Sequence, residues 1–179
     1  MIYLILIGII LVIVGFIVWY WLLIYNGFQT YRNKAENELS GIEVALQERF
    51  YNLGVIVKVA LGYNIHENKT FKEVSFGRGD GSLDDKVREA NLGALRVKAV
   101  VERYPILKAD KLSSSLIERD SYLELRLRTS RLTYNESVLK YNTYLSTFPE
   151  NLVGKFHGFT KLSYLKFEEE KFKPEDLFK

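Results

Sequence analysis

The chain has 179 residues, 25 basic and 22 acidic for a formal charge of +3, and no cysteine. That length allows one domain of ordinary size plus an accessory segment. The missing cysteines exclude disulfides and thiolate metal sites, and the mild charge balance speaks against a nucleic-acid binder.

Ile2 to Tyr25 is a charge-free run of 24 residues. As a helix it would rise about 36 Å, enough to cross a hydrocarbon layer of about 30 Å with some tilt. Trp19, Tyr20, Trp21 and Tyr25 stand at its far end, where a membrane-interface belt of aromatics belongs. A cleaved signal peptide is the rival reading. It is disfavoured because no basic n-region precedes the run, the run is too long, and WYWLLIYNG offers no small-residue cleavage site. The run is therefore read as an uncleaved transmembrane anchor, residues 1–25. Arg32, Lys34 and Arg49 follow it, and basic residues favour the cytoplasmic side, which places the soluble part inside and the N-terminus outside.

No proline occurs before Pro105, so helix can continue unbroken. Ala35, Leu39, Ile42, Leu46, Phe50, Leu53, Val57 and Ala60 recur at spacings of three and four, the mark of one apolar helical face. This predicts a first soluble helix from about Phe28 into the seventies. FGRGDGS at 76–82 breaks any period and reads as a loop. Ser82 with Asp84 and Asp85 behind it reads as a helix start. The second helix carries Leu83, Val87, Ala90, Ala94, Val97, Val101 and Tyr104 and is stopped by Pro105.

After the connector ILKADKL, Ser113 to Ser115 offer a cap for a third helix. Its seam is Leu116, Asp120, Leu123, Leu127, Ser130, Tyr134, Ser137, Tyr141, Tyr144 and Phe148. Tyr134 and Tyr141 would fill the bundle with their rings while their hydroxyls reach a partner. Asn135 and Asn142, beside the seam, can bond across helices or to a loop backbone. The polar positions Asp120, Ser130 and Ser137 read as register-setting contacts in preference to a stripe for a partner helix. Pro149 ends this helix.

Three such faces must bury one another, and short links favour antiparallel neighbours. The predicted fold class is all-α: an N-terminal transmembrane helix, then an elongated antiparallel bundle of three long helices plus a short C-terminal helix from about Glu150, over residues 26–154. The coiled-coil-like bundle seam is expected at Ile42, Leu46, Leu53, Val57, Val101, Leu123, Leu127, Tyr134, Tyr141 and Phe148. The tail, 155–179, has six Phe or Tyr and six Lys among 25 residues. It reads as an aromatic strap over the bundle, or as a membrane-surface segment in which Phe156, Phe159, Lys161, Tyr164 and Phe167 meet lipid or a partner. Five acidic residues favour the strap.

Motifs that suggest chemistry are weak here. His66-Glu67 is half of a zinc-protease HExxH, but position 70 is Thr and the second ligand is missing. Arg78-Gly79-Asp80 reads as a turn, and the sequons at Asn68 and Asn135 have no meaning in a cytoplasm. GRGDG lacks the GK[ST] ending of a nucleotide loop. Neither histidine has a nucleophile in a recognisable motif. No catalytic residue, cofactor, metal, nucleic acid or small-molecule substrate is expected.

Tyr25-Asn26 before Arg32-Asn33, ELSGIEVALQERFYNLGVIVKVALGYNIHE, VVERYPILKAD and YNESVLKYNTYLSTFPENLVGKFHGF follow in order along nearly the whole chain. Together they resemble the LemA family of small bacterial membrane proteins. The chain departs from that pattern at Leu39, where the family usually has Trp, at RDSYLELRLRTSR, and at NKTFKEVSFGRGDG. The resemblance implies one transmembrane helix, a long antiparallel helical domain, a location in the bacterial cell (inner) membrane, and no catalytic mechanism. It associates relatives with membrane proteases and envelope stress. The expected function is a membrane-anchored helical scaffold that self-associates as an oligomer or binds envelope partners. The alternative is lipid sensing or membrane remodelling through the tail.

Overall fold

The computed structural model describes residues 1–63 and 81–166. Regular structure among these residues is helical, in five elements: α1 (Ile2–Gly62), α2 (Leu83–Arg103), α3 (Pro105–Ala109), α4 (Lys111–Ser146) and α5 (Glu150–Phe156). The all-α expectation holds, with one change at the start. The anchor and the first soluble helix are a single helix of 61 residues. Asn26 and Gly27 are helical instead of separating two elements. Gly27 serves close approach: a Cβ there would stand 2.5 Å from the Tyr144 hydroxyl oxygen. The expected extension of this helix into the seventies, the loop at 76–80, His66-Glu67, Asn68 and Arg78-Gly79-Asp80 lie outside the described residues.

Helix ends follow local chemistry. At α2, the Ser82 hydroxyl accepts from the Asp85 N–H at 3.2 Å, and the Asp85 carboxylate accepts from the Ser82 N–H at 3.1 Å. Two orphan donors are thus satisfied reciprocally. Pro105 then opens the short α3 at its first position, where its missing N–H costs nothing. The third long helix starts earlier than Ser113. Asp110 is the cap: its carboxylate accepts from the Ser113 N–H at 2.8 Å and from the Ser113 hydroxyl at 3.0 Å. At the far end, α5 stops in a Schellman turn. Gly158 adopts φ 72°, and the Phe159 and Gly158 amides donate to the Gly154 and Lys155 carbonyls at 2.9 and 3.3 Å.

The chain forms two compact units. Among the described residues, unit 1 comprises 1–38 and 133–164, and unit 2 those within 39–132 and 165–179. In unit 1, Ile24 and Phe28 of α1, Tyr141 of α4 and Val153 of α5 make the core. In unit 2, Leu53, Ile56, Val57 and Ala60 of α1 pack with Val97, Val100 and Val101 of α2 and Leu107 of α3. Here α1 and α4 are antiparallel. Asn52 bonds the Leu116 carbonyl, Arg49 meets Asp120, and Glu48 meets Arg126, so one index falls as the other rises.

Candidate functional site

The apolar run of α1 has a mean hydropathy of 3.1 over its best 18-residue window, none of it buried. A helix this oily and this exposed is long enough to cross a membrane. At its end lies an aromatic collar in unit 1. Trp19 and Tyr20 face outward at 56% and 42% exposure. Trp21 and Tyr25 turn instead onto the C-terminal segment. Trp21 Nε1 donates to His157 Nε2 at 3.2 Å and meets the Phe156 ring edge-on at 5.5 Å. Tyr25 packs on His157 at 4.8 Å and on Phe159 at 6.0 Å. Phe159 stacks on the fully buried Phe28 at 4.7 Å. The Schellman turn aims Phe159 this way.

A strap follows the collar. Asn142 donates to the Leu162 carbonyl and accepts from the Leu162 N–H, both at 2.9 Å. Its amide thereby satisfies an extended backbone as a neighbouring strand would. Tyr134 donates to the Ser163 carbonyl at 3.1 Å. Burial pushes the Tyr134, Tyr141 and Tyr144 phenols above their usual range. In unit 2, Arg131 donates to the Lys166 carbonyl and pairs with Asp84 at 3.0 Å.

Unit 2 also holds a buried cation that periodicity alone does not reveal. Arg49 is 1% exposed. Its Nε donates to Asp120 Oδ1 at 3.1 Å, Nη1 to Asn91 Oδ1 at 2.6 Å, and Nη2 to Glu124 Oε2 at 3.3 Å. One residue of α1 thus ties α2 and α4 in register. Asp120, the polar break in the α4 seam, is the acid that this cation requires. A cleft of about 840 Å³ opens beside it, lined among others by Asp84, Arg88, Asn91 and Arg131.

The other sequence-selected residues fall as follows. Ile42, Leu46, Leu53, Val57, Val101, Leu123, Leu127, Tyr134 and Tyr141 are buried. Phe148 is not part of the seam: α4 ends at Ser146, so the helical period no longer applies, and the ring is 74% exposed. Of the tail residues, Phe159 is turned into the core of unit 1, whereas Phe156 is 76% and Tyr164 49% exposed. Lys161 is exposed, and Phe167 lies outside the described residues.

The LemA family model matches residues 38–177. The chain is similar to Magnetosome protein MamQ 2 and Magnetosome protein MamQ 1 of Paramagnetospirillum magneticum. Each is 25% identical over 179 residues, covering 79% of this chain and 64% of the relative. Magnetosome protein MamQ of Magnetospirillum gryphiswaldense is 23% identical over 173 residues, covering 78% and 64%. The chain thus spans just under two thirds of the length of these curated relatives. With its long apolar helix, it is a membrane-associated protein and belongs to the LemA family.

Proposed function

We propose that the protein is a membrane-anchored scaffold without catalytic activity, whose helical domain binds a protein partner or further copies of itself. Residues 2–25 span the membrane, and the basic residues beyond them favour a cytoplasmic domain. Arg32 and Lys34 carry that preference, because Arg49 is spent in a buried pair.

The observation that supports binding is a line of apolar side chains left outside in unit 2. Tyr122, Leu125 and Leu132 of α4 are 64%, 63% and 54% exposed. Their spacings of three and seven put them on one helical face, away from buried Leu123 and Leu127. Aromatic and aliphatic anchors of this kind are what an interface core uses. Anchoring in one membrane plane raises the effective concentration of a weak face.

The test is a photo-crosslinking amino acid at Tyr122 or Leu125 of the full chain in its native membrane. Expected is a discrete protein adduct at both positions and none from the equally outward Ser114. Absence of any adduct, with a monomeric mass in detergent, contradicts the reading.

A further inference from the structure

We propose that the outer edge of unit 1, made by α5 and the turn before it, is inserted in lipid, with part of a phospholipid acyl chain lying in the cleft between α5 and α1. This rests on the reading that residues 2–25 span the membrane.

The cleft holds about 130 Å³. Phe16, Tyr20 and Ile24 of α1 form one wall, and Pro149, Leu152 and Val153 the other. Phe16 lies well inside the charge-free run, nine residues before its end. At about 1.5 Å per residue, nine positions are about 13 Å of helix. The α5 side of the cleft therefore sits beside membrane-depth residues, not beyond them.

The exposed side chains agree. Phe148, Leu152 and Phe156 are 74%, 52% and 76% exposed. Leu152 and Phe156, four residues apart, lie along one edge of α5, and Phe148 stands exposed in the turn before it. Trp21 touches Phe156 edge-on, which joins this edge to the outward apolar surface of α1. A short helix and lead-in turn that leave two phenylalanines and a leucine outside, continuous with a spanning surface, fit the hydrocarbon boundary. Lys155, exposed in its last turn, can carry its charge up to a phosphate on an apolar stem. Phe159 and Leu162 pack inward instead, so the lipid contact belongs to α5 and not to the strap.

The chain has no cysteine, so single labels are unambiguous. Spin labels at Phe148→Cys, Leu152→Cys, Phe156→Cys, Ile10→Cys and Ser114→Cys are read in the full chain in phosphatidylcholine–phosphatidylglycerol vesicles. Relative collision with oxygen and with a water-soluble nickel chelate reports lipid or water. Each variant is first checked for an unchanged helical circular-dichroism signal, and three independent α5-edge labels guard against one failing to fold. Expected is an oxygen-to-nickel ratio several-fold higher at 10, 148, 152 and 156 than at 114. A lipid-like label at 10 with water-like labels at 148, 152 and 156 overturns the inference and leaves the anchor standing. A water-like label at 10 overturns the spanning reading and the inference with it. Labels at 152 and 156 shielded from both collision partners show a protein on this edge and also overturn it.

Discussion

The two units solve the same packing problem with different chemistry. Unit 1 is held by rings and by close backbone approach. Phe28 lies against Tyr141, Tyr144 and Phe159, and a Cβ on Gly154 would stand 2.5 Å from Leu145 Cδ1 and 3.2 Å from the Phe28 ring. Unit 2 is held by Leu, Ile, Val and Ala and by the buried Arg49 guanidinium. Aromatic packing suits a region that must meet a backbone strap and other helices over a short stretch, because rings present large area at few rotatable bonds. An aliphatic seam slides more easily, and a buried ion pair specifies register at some cost in stability.

The largest expected effect breaks unit 1 alone. Phe28→Ala empties a fully buried site and should cost about 4 kcal/mol. Hydrogen exchange of the full chain in detergent should then show loss of protection at Tyr141 and Tyr144 and little change at Val97 and Leu123. Arg49→Met is the converse. It leaves Asp120 without its cation and should cost about 3 kcal/mol, felt at Val97 and Leu123. Adding Asp120→Leu should restore most of that loss, and failure of the double variant to recover would deny the pair its register role.

Smaller effects sharpen the contrast. Asn142→Ala removes two strap hydrogen bonds at about 1 kcal/mol each, and protection should fall at Leu162 before it falls at Tyr141. Gly158→Ala forces a side chain into left-handed backbone, costing about 1 kcal/mol, and should loosen the Phe159 stacking without touching unit 2.

The smallest effect is acid sensitivity of the caps. Hydrogen bonds from Ser113, the backbone N–H first, hold the Asp110 carboxyl below its usual range. The Ser82 hydroxyl and N–H do the same for Asp85. A lowered folded-state value means the cap contributes fully above the ordinary carboxylate range and is lost as pH falls through the folded value. An acid titration should therefore fray the starts of α4 and α2, and Asp110→Asn should flatten the response at α4.

Spacings of three and four were enough to place the buried faces of Leu53, Val57, Val101, Leu123 and Tyr141, because an amphipathic helix repeats its burial rule at every turn. The Ser82 start was legible for a similar reason: capping chemistry is local. Arg49 was not. A lone Arg beside an apolar face reads as a solvated flank until its acids, 71 and 75 residues away, are brought to it. Phe148 misled because the period outran the helix. The role of Gly27 was not legible either, because the Tyr144 hydroxyl that needs the room lies more than 100 residues later. The inward turn of Trp21 and Tyr25 depends on His157 and Phe159, more than 130 residues later, and no local pattern carries it.

The central claim is that one unbroken helix joins the apolar run to both cores. Residue-resolved hydrogen exchange of the full chain in vesicles tests it most directly. The account predicts continuous amide protection through Tyr25, Asn26, Gly27 and Phe28 and onward to Ala60. Rapid exchange at Asn26 to Gln29, flanked by protection on both sides, would mean a hinge at the membrane exit and would contradict it.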